Sequence, residues 1–287
     1  MKMYTMHTWL KATCLLLTGG LLLAVVLPAA ALGADTYSDM MLALGDYASQ
    51  KNIPLMLSLR DSALIPAFGI ILLVVIAASL VHYFAFGAND HSFDDPSKAV
   101  LWWPMADRVL HWVVAITFCV LFFTGLPITF GISIPVFLRQ LHEVTGYVFA
   151  PFLIIMSLKW IGEAIPKAYD INWMMHVGGY LGYKGHLEAG KFNGGQKVWY
   201  WIMFITGVAH IISGFGQVFA VGGIEMQRFY VVIHVYTTIP VAIMFLMHIY
   251  LATLANKGAL GSMIHGKVNL DSMKHHHPHS SVFKKVS

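Results

Sequence analysis

Cysteine is almost missing from this chain of 287 residues: there are two, Cys14 and Cys119, each inside an apolar stretch. No CxxC, CxxCH or zinc spacing is available, which excludes a disulfide framework, a zinc ribbon and thioether-attached haem. Charge is scarce as well. Asp, Glu, Lys and Arg make up 11% of the sequence, where a soluble domain carries about a quarter. Hydrophobic residues reach 57% and the mean hydropathy is +0.67. That balance excludes a soluble enzyme and makes the chain an integral membrane protein. The net charge of +4 comes from basic residues outside the apolar runs, so it reports topology and gives no nucleic-acid partner. Acids in mid-membrane are missing too, since Glu143, Glu163 and Glu225 all fall near run ends, which counts against proton pumping. Histidine is abundant, with fifteen residues, so any metal chemistry rests on imidazole.

Lys2 and Lys11 flank the start of an apolar run, Ala12 to Leu27, that ends in Pro28-Ala29-Ala30-Ala31. This is the form of a secretory signal peptide, with cleavage expected near residues 31–34 and an uncleaved anchor as the alternative. Five segments follow, each near the ~20 residues a membrane helix needs, at 63–86, 109–131, 137–162, 197–221 and 229–255. The expected fold is all-α and membrane-integral: a four-helix transmembrane bundle with one additional N-terminal helix. The chain divides into a signal (1–34), a periplasmic segment (35–62), the additional helix (63–86), the four-helix core (87–255) and a cytoplasmic tail (256–287). Lys and Arg bias sets orientation. The segments 87–108, 163–197 and 256–287 hold eleven of them, against four in 35–62, 132–139 and 222–228, so the C-terminus is expected inside a bacterial inner membrane.

The last apolar run holds His234 and His248, fourteen residues apart. On an α-helix that separation turns through about 1400°, ~40° short of four turns, so both lie on one face about 21 Å apart along the axis. Two stacked sites inside a ~30 Å hydrocarbon slab fit that spacing. By depth, His111 pairs with His248 toward the inside and His142 with His234 toward the outside, each pair able to hold one haem iron by two axial imidazoles. Gly125 lies fourteen residues after His111, on the same face at the outer level, and Gly146 one turn after His142. Both offer room for a flat macrocycle, although glycines also let membrane helices pack closely. Arg108 and Arg139 each precede a histidine by three residues and Arg228 precedes His234 by six, at the edges where haem propionates would emerge. Interfacial snorkelling accounts equally well for any one of these arginines. His82 and His210 find no such partner by depth; His82 reads as interfacial, His210 stays unexplained, and Lys159 reads as snorkelling. A non-redox anchor or transporter, with histidines relaying protons or binding a transition metal, is the reading of a different class.

Several stretches together resemble a known family. They are Asp107-Arg108-Val109-Leu110-His111-Trp112, Arg139-Gln140-Leu141-His142 with Gly146, Lys191-Phe192-Asn193-Gly194-Gly195-Gln196-Lys197, and the His234/His248 pair. The tail adds Lys257-Gly258, Gly266-Lys267-Val268 and Lys274-His275-His276. Over about residues 105–279 the chain is similar to the cytochrome b (gamma) subunits of respiratory formate dehydrogenases; cytochromes b of hydrogenases and thiosulfate reductases share the histidine spacing. The resemblance implies two haem b groups and a quinone acceptor, menaquinone or ubiquinone, beside the inner haem at Asn193, Gly195 and Gln196. It implies an iron–sulfur (beta) subunit and a molybdenum- or tungsten-containing catalytic (alpha) subunit as partners at the outer face. Asn193-Gly194-Gly195 also reads as a simple turn before the next helix. Formate oxidation itself lies beyond this chain, which has no motif for a molybdenum cofactor or an iron–sulfur cluster. The signal and the helix at 63–86 are additions to the shorter form of the family.

Overall fold

The computed structural model describes residues 64–90, 98–130 and 134–283. The expected signal peptide and the segment 35–62 lie outside the described residues. Among the described residues, five helices are long and apolar enough to cross a membrane: α1 (Leu64–Phe86), α2 (Met105–Thr129), α3 (Val136–Ala164), α5 (Gly194–Val218) and α6 (Ile224–Tyr250). α6 runs on through a π turn, Leu251–Ala255. Between α3 and α5 lies the short α4 (Ala168–Met175), and the tail carries α7 (Ala259–His265) and α8 (Leu270–His276).

The core helices begin three to five residues before, or within one residue of, the starts expected from hydropathy. Their polar first turns belong to the helix, and local chemistry sets each start. Pro104 and Pro135 precede α2 and α3, because a proline cannot donate into the turn it precedes. Asn193 caps α5 by accepting from Gln196 N at 2.9 Å, while Gln196 Oε1 accepts from Asn193 N at 3.0 Å. This reciprocal capping box satisfies two of the helix's orphan donors. Inside the helices, hydroxyls donate to carbonyls one turn back, as Thr117 does to Val113 at 2.7 Å and Thr206 to Ile202 at 2.6 Å. That is how a polar side chain is tolerated where water is absent.

α2, α3, α5 and α6 form the bundle. Midway along it, Val114, Phe149, Leu153, Met203 and Val241 pack as one layer, joined through Phe118 to Phe122, Ala242 and Phe245. Gly207 lies directly against Leu153, so a side chain there would collide and hold α3 and α5 apart. α1 lies on the outside of the bundle along α6 and buries a narrow stripe: Phe68 and Leu72, one turn apart, enter the Phe122–Phe245 cluster. Its remaining faces, including Leu73, Val81 and Phe84, are exposed to the surroundings, as a lipid-facing helix requires.

The basic connections come together at one end of the bundle. Asn89–Asp90 (β1) pairs in parallel with Asn256–Lys257 (β3), and Ala99–Leu101 (β2) pairs antiparallel with Lys267–Asn269 (β4). Trp102, Trp103, Trp160, Phe192, Tyr200, Val268 and Met273 form an aromatic floor there. Lys159, taken from sequence as snorkelling, instead ion-pairs with buried Asp107 at 2.6 Å, and Lys191 approaches the same carboxylate at 3.6 Å. Lys197 pairs with Asp170 at 2.7 Å, tying α5 to α4, with both side chains almost fully buried. His82 is likewise more than interfacial. Its Nδ1 meets the Tyr250 hydroxyl and its Nε2 the Tyr180 carbonyl at 2.8 Å, which latches α1 to α6 and the α4–α5 connection.

Candidate functional site: two histidine pairs at two depths

α6 runs unbroken from His234 past Pro240 to His248, so the two imidazoles stand on one helical post as the spacing requires. His248 faces His111 of α2 near the basic end, with ring centres 6.4 Å apart and planes 54° apart. His234 faces His142 of α3 toward the far end, with ring centres 6.2 Å apart and planes 62° apart. An iron atom bonded at about 2 Å to each of two facing imidazole nitrogens sets the ring centres roughly 6 Å apart. All four rings are half-buried and line a space between helices rather than packing face to face. The aromatic layer of Phe118, Phe122 and Phe245 separates the two levels, with Phe118 and Phe245 4.9 Å apart.

Hydrogen bonds set the ring nitrogens of the far pair. Thr124 Oγ1 lies 2.8 Å from His142 Nδ1, and Ser213 Oγ lies 2.9 Å from His234 Nδ1. That engages Nδ1 of each ring and leaves Nε2 as the nitrogen able to bind a metal. Gly125 makes room for His142, because a Cβ there would stand 2.9 Å from Cε1 of that ring. Gly125 thus seats the His142 ring itself. Gly146 has nothing within 4 Å of where a Cβ would lie, an open space on the face below His142. In the basic-end pair, His248 stacks on Trp199 of α5 at 5.1 Å with 14° between planes. His111 Nδ1 is buried without a hydrogen-bond partner among the described residues. Facing imidazoles at this separation fit a bis-histidine haem at each level, and Gly146 leaves an open cradle at the far one.

The other residues singled out from sequence are placed as follows. Arg108 donates to the Ile264 carbonyl, tethering α7 to α2, and its Nε is buried without a hydrogen-bond partner among the described residues. Arg139 is half-buried one turn before His142, and Arg228 lies 4.0 Å from Glu225. Asn193 and Gln196 use their amide oxygens for the α5 capping box, while Gly194 and Gly195 press against Trp173 of α4. His210 does have partners: Nδ1 donates to the Thr206 carbonyl at 2.7 Å and Nε2 meets Thr238 Oγ1 at 3.1 Å. Its ring lies edge-on to His234 at 4.7 Å, so it braces that ring.

The histidine-rich tail folds back on the α4–α5 connection. His279 donates to Glu188 at 2.7 Å and stacks on Tyr169 at 4.6 Å, and His277 Nδ1 bonds the Gly190 carbonyl at 2.7 Å. The hydrogen bond from His279 holds the Glu188 carboxyl below its ordinary range. Burial raises the Tyr180 phenol above its own, so Tyr180 stays protonated where Asn256 Nδ2 donates to it at 2.9 Å. Sequence reasoning missed Thr124, Ser213 and Trp199. The available signal was a hydroxyl or an indole placed at the depth of a histidine in an otherwise apolar run.

A bundle of apolar helices presenting two imidazole pairs at two depths defines an integral membrane cytochrome. The chain belongs to the prokaryotic cytochrome b561 family, which it matches over residues 102–266, so haem b is its cofactor class. It is 29% identical over 201 residues to the nitrate-inducible formate dehydrogenase cytochrome b556(Fdn) subunit of Escherichia coli (strain K12), covering 63% of this chain and 90% of that protein. It is 28% identical over 188 residues to the formate dehydrogenase cytochrome b556(fdo) subunit of the same strain, covering 60% and 87%. The same identity over 188 residues holds for the formate dehydrogenase cytochrome b556 subunit of Haemophilus influenzae, covering 60% of this chain and 77% of that protein. The matched span covers the core helices and begins beyond α1.

Proposed function

We propose that this chain is the membrane cytochrome b subunit of a formate dehydrogenase, connecting an iron–sulfur subunit at the outer face with a quinone near the cytoplasmic face. The observation that carries the reading is the ring separation of 6.4 Å in one pair and 6.2 Å in the other. When bound, two haem b groups supply one-electron carriers at two depths. The chain's own residues position and insulate them. His142 and His234 hold the outer one, and His111 and His248 the inner one. The layer of Phe118, Phe122 and Phe245 keeps water and ions out of the path between them. Arg108 toward the basic end, and Arg139 and Arg228 toward the other, supply cations for propionates.

The basic end is the cytoplasmic end, on the Lys and Arg bias, and the C-terminus lies there. The Asn193–Gln196 turn lies at that end, and Trp199 follows it by one turn and stacks on His248. Asn193 Oδ1 and Gln196 Oε1 are occupied by the capping box, which leaves the amide NH₂ groups of both residues as donors to a quinone carbonyl. Two electrons and two protons convert quinone to quinol, and the protons enter from the cytoplasmic side. Formate gives two electrons, one proton and carbon dioxide at the partner subunits, outside. The relatives' names favour formate over hydrogen or a sulfur compound as donor.

The test is haem content of the purified protein by pyridine haemochrome, with His234→Ala and His248→Ala beside it. Two haems per chain are expected, falling to one in each variant. Loss of quinone reduction is expected in both variants when formate reduces the isolated complex. Two haems retained in either variant would reject the pairing. Co-purification with a hydrogenase rather than molybdenum- or tungsten-containing subunits would reject formate.

A further inference from the structure

The two histidine pairs differ in what holds Nδ1, and the difference sets a tautomer. Thr124 Oγ1 donates to the Val120 carbonyl at 2.6 Å, and Ser213 Oγ to the Ala209 carbonyl at 2.6 Å. A hydroxyl carries one hydrogen, and here each is already given to a backbone carbonyl. With that hydrogen given to the carbonyl, these oxygens accept from His142 Nδ1 at 2.8 Å and from His234 Nδ1 at 2.9 Å. Both outer imidazoles must carry their proton on Nδ1 and present a bare Nε2 lone pair to the space between them. Each hydroxyl sits on a helix adjacent to that of its histidine, α2 for α3 and α5 for α6, and both hydroxyl residues are buried, with Ser213 at 1% exposure. The inner pair lacks this arrangement at His111, whose Nδ1 is buried with no hydrogen-bond partner among the described residues, while His248 is held by stacking on Trp199.

We infer that Thr124 and Ser213 are positioning residues that make the outer histidines stronger electron donors than the inner ones, and so set the outer haem at the lower potential. An imidazole that donates its remote N–H is a more basic ligand, and a more basic axial ligand favours the oxidised iron; hydrogen bonding around the ligands is one of the levers a protein has on haem potential. The resulting order is downhill from outer to inner, toward the end carrying the Asn193–Gln196 turn. Direction is thereby written into two hydroxyls that touch no carrier. The inference rests on the proposed haem pairing.

The experiment is a redox titration of the α-bands in the full complex, comparing wild type with Thr124→Val and Ser213→Ala. The outer component is identified as the one missing in His234→Ala. In wild type the outer midpoint is expected below the inner. Each variant should raise the outer midpoint and leave the inner one unmoved, with a change in the low-spin ferric g-values of that haem alone. Thr124→Ser and Ser213→Thr keep a hydroxyl and should keep the wild-type midpoint. Where the valine or alanine variant loses the outer haem outright, retention in its hydroxyl-bearing counterpart supports the assignment, and loss in both overturns it. An outer midpoint above the inner in wild type, or one unmoved in both hydroxyl-free variants, also overturns it. These last outcomes leave the pairing standing, whereas two haems in His234→Ala reject the pairing itself.

Discussion

Replacing Gly125 with alanine probes the outer ligand through sterics alone. The added methyl would stand 2.9 Å from His142 Cε1 and 3.4 Å from Nδ1. Carbon atoms rest about 3.5–4.0 Å apart, so the ring must give by at least roughly 0.6 Å. His142 has little freedom to do so, since Thr124 holds Nδ1 at 2.8 Å and the ring already faces His234 at 6.2 Å. Overpacking of this kind costs about 1–3 kcal/mol. Alanine in place of glycine inside a helix returns about 1 kcal/mol. The net penalty of about 0–2 kcal/mol falls on one ligand ring, and at 1.4 kcal/mol per tenfold it corresponds to up to roughly 30-fold weaker retention of the outer haem. The assay is loss of haem to a competing apoprotein acceptor, followed in the α-bands of both haems. A faster outer phase beside an unchanged inner phase is expected. Gly146→Ala is the control of opposite kind: the protein alone has open space there, so the apoprotein should fold normally while haem uptake at the outer level falls. Wild-type release and unchanged bands in Gly125→Ala would refute the placement of His142 against α2.

Three further outcomes follow from other contacts. Asp170→Asn leaves the Lys197 ammonium, 4% exposed, without its partner. Breaking a buried pair on one side costs about 3–5 kcal/mol, so thermal unfolding in detergent should drop sharply, whereas Asp170→Leu with Lys197→Met should recover much of the loss. His82→Phe removes bonds to the Tyr250 hydroxyl and the Tyr180 carbonyl, about 1–3 kcal/mol for the two. Faster proteolysis near Gly87 is expected, with haem content unchanged; wild-type resistance would show that α1 is held by its apolar stripe alone. The tail should detach in acid. Because Glu188 has its carboxyl lowered in the folded chain, chiefly by the His279 hydrogen bond, its contribution is complete above the ordinary carboxylate range and is lost as pH falls through the lowered value. Hydrogen exchange of residues 275–283 should rise over that window, and Glu188→Gln should remove the dependence on pH.

Local properties made much of this readable in advance. Apolar runs of bilayer length place the five described helices to within a few residues, and the starts of the four core helices shift earlier because a polar first turn looks like loop to a hydropathy window. Histidine spacing was equally legible: a period of 3.6 residues puts His234 and His248 on one face whatever surrounds them, and depth alone chose His111 and His142 as their partners. His82 and Lys159 were misjudged, and His210 was left unexplained, for one shared reason. Each is satisfied by a residue distant in sequence, Tyr250, Asp107 and Thr238 respectively, and no window along the chain contains both members.

The Asn193–Gln196 turn shows the opposite case. Its motif suggested a ligand site, and the fold assigns its amide oxygens to capping α5. By itself, then, the sequence determined the membrane, the helices, the two depths and the four imidazoles, because hydropathy and helical period act locally. Only the tertiary structure decided which hydroxyls meet His142 and His234, that Gly125 seats His142 and that Trp199 stacks on His248. Those contacts run between helices, and which faces meet is settled by the packing of the whole bundle.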